Sequence, residues 1–188
     1  MMNSIRIWLS VSALGLLGAG CSNLPAPHYT GSIENVQRLK ATPFSVKVGR
    51  VDAPVTKAAP YPISLRASPL ISPYENSFGS YLAEAIRTEL KLAGRLSPDS
   101  EIEITGTVLR NDIDVSGFSV AFGDIEARFV VMKGNDVRYD QVKSAHHQWE
   151  SAFAGAIAIP QAVNEYPRLV QKLLATLYAD SAFLNALQ

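Results

Sequence analysis

The stretch Ser119 to Trp149, SVAFGDIEARFVVMKGNDVRYDQVKSAHHQW, decides how this chain folds. Two long runs rich in β-branched and aromatic residues, Ser119 to Val131 and Val137 to Trp149, flank Gly134-Asn135-Asp136, a hairpin turn signal. Antiparallel pairing of such strands needs nothing beyond that turn. Upstream, Glu101 to Arg110 alternates Ile102, Ile104 and Val108 with polar residues, and Phe44 to Val51 alternates in the same way, so each reads as a half-buried strand.

Two helical patterns frame these strands. From Glu75 to Ala93, Phe78, Leu82, Ile86, Leu90 and Ala93 share one face, widened by Tyr81 and Ala85, and Gly94 supplies the stop. From Asn164 to Ala179 the apolar face is Val170, Leu173, Leu174 and Leu177, with Asn164 as the expected cap and Pro167 in the first turn. A tail holding Phe183, Leu184 and Leu187 is expected to fold back. The order strand, helix, three strands, helix predicts an α+β two-layer sandwich, a mostly antiparallel sheet of about four strands with both helices on one face.

The N-terminus carries a different message. Arg6 precedes an apolar run from Ile7 to Leu17, which ends on Gly18-Ala19-Gly20-Cys21. A basic start, a short apolar middle and small residues at the break describe a cleaved secretory signal, too short to span a bilayer core of about 30 Å. The small residues ending in cysteine resemble the lipobox of bacterial lipoproteins, with Gly18 where that pattern usually has Leu. Cys21 is therefore the expected lipidation site, and several acyl chains on one cysteine make a stable anchor. Residues 1–20 read as the signal, 21–43 as the lipidated cysteine and a proline-broken tether, and 44–188 as one α+β domain. Val36 and Leu39, three apart, are expected to form a short turn that docks on it.

Lysine plus arginine equals aspartate plus glutamate at 17 each, so no net field draws nucleic acid. Cys21 is the only cysteine, so no internal disulfide forms. His146 and His147 are adjacent on a strand and point to opposite faces, which denies them a shared metal. Gly117-Phe118-Ser119-Val120-Ala121 is not a nucleophile elbow. Asp112 and Asp114 share a strand face without the spacing of a calcium loop. No catalytic residue, metal site or cofactor is expected; an envelope hydrolase would need His147 or Asp114 beside a second titratable group in a cleft.

What remains is apolar sequence outside the periodic elements. The passage 52–73 is broken by five prolines, with Ile63 to Leu65 as a short edge strand, and this region contributes Ile63, Leu65, Leu70, Ile71 and Tyr74. Phe153 to Pro160 contributes Phe153, Ile157 and Ile159 with almost no polar side chain. Either these segments plug the open end of the sandwich, or together they make a protein- or lipid-binding surface.

From Tyr74 onward the layout resembles the YajG-like lipoproteins of the Gram-negative envelope. The matching stretches are Tyr81-Leu82-Ala83-Glu84-Ala85, Asn111 to Ser116, Glu126 to Val131, Trp149 to Phe153 and Leu177 to Asp180. In topology the chain is similar to auxiliary lipoproteins of ABC-type lipid transport systems. Both resemblances imply a non-enzymatic envelope component with no catalytic residues to carry over. The expected partners are the outer membrane through the acyl chains, an envelope protein and, in the second case, lipid. Ser22 after the cysteine, where lipoproteins kept in the inner membrane tend to have aspartate, implies the periplasmic face of the outer membrane.

Overall fold

The computed structural model describes residues 23–188; the signal and Cys21 lie outside them. In chain order the elements are β1 (Leu24–Pro25), α1 (Ile33–Lys40), β2 (Lys47–Asp52), β3 (Ile63–Leu65), β4 (Ser68–Ile71) and α2 (Phe78–Ala93). Then follow β5 (Ile102–Asp114), β6 (Val120–Lys133), β7 (Asp136–Glu150), α3 (Gly155–Tyr178) and α4 (Ser181–Ala186).

The quoted hairpin forms as expected. Lys133 pairs with Asp136 across a two-residue turn, and Gly134 supplies its positive φ of 57°. The four-stranded sheet runs β2-β5-β6-β7; β5, β6 and β7 are antiparallel and β2 joins β5 in parallel, so the sheet is mixed. Along β5 the inward residues are Ile102, Ile104 and Val108, and then a register shift between Val108 and Arg110 moves the buried set to Asn111 and Ile113. A bulge of this kind switches which parity faces the core.

Both long helices lie on one face of this sheet, and Phe78, Tyr81, Phe129, Tyr166 and Leu169 fill the space between the layers. The Tyr81 and Tyr166 rings meet edge to face at 5.0 Å. Helix α2 starts at Phe78 rather than Glu75 because the Ser77 hydroxyl accepts from the Ser80 amide, and it ends on Gly94 with φ 70°. A Cβ at Gly79 would lie 2.2 Å from the Val51 carbonyl oxygen, so glycine there lets α2 approach β2.

Three expectations need correction. The expected tether is structured from Leu24 onward: β1 pairs in parallel with β4, and Ser32 caps α1, whose Val36 and Leu39 are buried along with Tyr29. The passage 52–73 is not wholly irregular, since β3 and β4 form a hairpin in a second sheet of order β1-β4-β3. Helix α3 begins at Gly155, not Asn164, and runs through Pro160 and Pro167. Each proline forfeits one backbone bond, yet Ala158 and Ala162 are completely buried, and that packing holds the early turns in place. The tail folds back as α4, with Phe183 and Leu187 buried.

Candidate functional site

At the tip of the β3–β4 hairpin, Arg66 and Ala67 have φ of 49° and 72°, the left-handed pair that a tight two-residue turn demands. The turn aims the Arg66 guanidinium at two loops that end the large sheet. Its Nε donates to the Val115 carbonyl at 2.6 Å, and Nη2 to Gly117 and Ala152 at 3.1 and 3.2 Å. Nη1 donates to the Phe153 carbonyl. One rigid fork of donors thus ties the β5–β6 loop to the β7–α3 loop, and the Ser151 amide adds a bond to the Ser119 carbonyl at 2.8 Å.

The clamp presents apolar side chains to solvent. Phe118 and Phe153 stack with centroids 5.0 Å apart and an interplanar angle of 11°. They are 75% and 69% exposed, and Ile157 on the first turn of α3 is 59% exposed. From Ser151 to Asn164 there is no charged residue.

The face of β5–β7 turned away from the helices is a second open surface. It carries the exposed Phe122 and Val142 together with ionic pairs, Arg110 with Asp124 at 3.1 Å and Arg128 with Asp140. His146 lies 2.9 Å from Asp124 on this face.

A third feature is internal. Glu89 is fully buried on α2, and its Oε1 accepts from the Tyr29 hydroxyl (2.7 Å), the Ser32 amide (2.9 Å) and Asn35 Nδ2 (3.2 Å). Burial raises its pKa above the ordinary carboxylate range, against the lowering effect of these donors. Tyr178 Oη faces the same carboxyl, and both it and Glu89 Oε2 lack a well-formed bond. The centre fastens the N-terminal arm to α2, and Asn35 reaches on to the Gln171 carbonyl of α3 at 3.1 Å.

Of the residues singled out in the sequence, Ile63, Leu65 and Leu70 are completely buried and belong to the core. Ile71, Tyr74 and Ile159 are half-buried. Phe153 and Ile157 alone are prominent at the surface, and Phe153 stacks on Phe118, which the sequence reading passed over as a binding residue.

The histidines separate as expected, His146 exposed and His147 buried. Its Nε2 lies 2.8 Å from Glu165 Oε2, while Nδ1 has no partner and Glu165 is shared with Arg168. The second titratable group that the hydrolase reading asked for beside His147 is therefore present as Glu165, and among the described residues no serine or threonine hydroxyl is hydrogen-bonded to this histidine. The Ser116 hydroxyl and the Ser116 amide, the latter donating to the Asp114 carboxylate at 2.7 Å, lower its pKa. Among the described residues no group of three His, Cys, Asp or Glu side chains is placed to hold a metal ion, and no helix is long and apolar enough to cross a membrane. An open groove of about 980 Å³ follows the free edge of β2, but Arg50, Asp52, Glu75, Glu84 and Arg87 line it, so it is polar.

No family model matches the chain, and no curated protein matches its sequence. Its fold is similar to that of protein XCC0632 from Xanthomonas campestris, described under the family model DUF330, with a TM-score of 0.60 and 13% identity over 87% of this chain and 96% of that one. Looser likenesses are the hypothetical protein CT253 from Chlamydia trachomatis (TM-score 0.49, 10% identity, 76% and 98% covered) and a minor lipoprotein from Acinetobacter baumannii (0.41, 10%, 75% and 92%). The first establishes a shared fold, and the other two are too distant to carry an argument.

Proposed function

We propose that this protein is a lipid-anchored accessory module of the bacterial cell envelope that works by binding another envelope protein and not by catalysis. The observation that carries the reading is the bare outer face of β5–β7, three strands of 13, 14 and 15 residues with Phe122 and Val142 exposed among paired charges. An exposed sheet face that mixes apolar and charged side chains suits a reversible protein interface, which is no more apolar than ordinary surface. The lipobox-like Cys21 supports a lipid anchor, and Ser22 directly after it supports the periplasmic face of the outer membrane. The alternative of a lipid carrier in an ABC-type transport system needs a hollow between the helices and the sheet, and aromatic side chains fill that space.

The test is photo-crosslinking in cells from benzoylphenylalanine at Phe122 and at Val142. Both sites should yield an adduct with the same envelope protein. If neither gives a discrete adduct while the protein is present and acylated, the reading is wrong.

A further inference from the structure

We infer that the Phe118–Phe153–Ile157 end rests in the surface of the lipid bilayer to which the chain is anchored, so that the domain is held against the membrane at two points. This builds on the reading of Cys21 as the acylated residue.

The argument begins with chain direction. Strand β1 is parallel to β4, with Leu24 opposite Leu70 and Pro25 opposite Ile71. Followed backwards, β1 therefore runs toward the start of β4, which is the side of the Arg66–Ala67 turn. Leu70 lies four residues beyond Arg66, so the described chain begins within about 13 Å, measured along the strand, of the turn that clamps the aromatic loops. Two peptide units separate Cys21 from Asn23, a span of at most about 7 Å. That distance is comparable to a headgroup layer, the roughly 5–7 Å between the hydrocarbon core and the outer limit of the bilayer. Acyl chains on Cys21 therefore bring this end of the domain, and no other, to the membrane surface.

The chemistry of the end agrees with its position. Two stacked phenylalanines project from loops without charge and Ile157 from the first turn of α3, a composition that partitions shallowly at the headgroup–acyl boundary. The backbone carbonyls of these loops, costly to bring toward hydrocarbon unpaired, are already bonded to Arg66. Asp114 and Glu150 stand just behind the loops and limit the depth. The stacked pair is therefore an interfacial wedge and not a spanning segment.

The experiment uses the full acylated chain reconstituted into phosphatidylethanolamine–phosphatidylglycerol vesicles whose acyl chains carry bromine. Phe118→Trp, and independently Phe153→Trp, should lose about half or more of the added emission to the bromines. Asn135→Trp, on the hairpin turn at the far end of the sheet, should lose none; parent protein gives the Trp149 background. Mass measurement of the same sample separates the two ideas. If Cys21 is acylated and the Phe118 and Phe153 reporters are quenched no more than the Asn135 reporter, the wedge is refuted and the anchor stands. If Cys21 is bare, the anchor reading fails and takes the wedge with it. Crosslinks from Phe118 to a protein instead of to phospholipid would also overturn the proposal.

Discussion

Arg66 and Glu89 solve the same problem with opposite charge. Each is a single ionisable side chain that gathers irregular backbone from distant parts of the chain, Arg66 by donating to four loop carbonyls and Glu89 by accepting from three donors of the N-terminal arm. They differ in burial. Glu89 is enclosed, so its donors have no water to turn to, whereas Arg66 sits half-buried beside loops that solvent can reach. The contrast teaches that the internal centre governs stability, and the one at the rim governs the shape of a surface.

The sharpest way to break the comparison is Glu89→Ala. It strands the Tyr29 hydroxyl, the Ser32 amide and the Asn35 side chain, and should cost about 3 kcal/mol or more. The urea midpoint reads this out, and a loss no larger than that of Arg66→Ala would refute the claim. Arg66→Ala itself should cost about 1–2 kcal/mol, because loop carbonyls can rebond to water. Its distinctive effect is local: faster exchange of the Ser151 amide, which donates to the Ser119 carbonyl, with the core strands unchanged, and broadened ring signals as the Phe118–Phe153 stack loosens.

A smaller effect sharpens the electrostatic half of the contrast. Because burial raises the Glu89 pKa above its ordinary 4.5, the folded state keeps a proton that the unfolded chain has released. Its contribution is complete below that ordinary value and is lost as pH rises through the raised one. Glu89→Gln keeps an acceptor for the arm and offers a donor to Tyr178. It should therefore match the parent near pH 4 and exceed it near pH 7.5, where the parent has lost the contribution of the retained proton. Urea titrations of both proteins at the two pH values check the sign. Asp180 works in the opposite sense: the Lys143 ammonium at 2.6 Å holds its pKa down to about 2. The acid limb of the curve, present in both proteins, thus does not confuse the comparison.

Legibility in the sequence tracked the range of the interactions. The β6–β7 hairpin and α2 could be read because their signals are local, a turn residue, a cap and a repeating apolar period. Helix α1 and the arm before it could not, because Pro25, Pro27 and Pro43 dominate the local pattern while the partner that orders the arm, Glu89, lies 57 residues beyond Ser32. The role of Arg66 was hidden for a related reason: its acceptors are backbone carbonyls, which leave no mark on residue identity. The apolar segments show the same limit. Ile63 and Ile157 carry similar side chains, yet one is fully buried and the other projects into solvent.

The sequence by itself determined the alternation of strand and helix, the α+β class and the lipobox-like N-terminus, since these rest on periodicity, turn chemistry and contiguous motifs. Only the tertiary structure decided which apolar residues form the core and which form the aromatic end, that the arm belongs to the domain, and that the described residues begin on the side of the Phe118–Phe153 pair. Those outcomes depend on contacts between residues far apart in the chain, and burial is a property of such contacts and not of any residue alone.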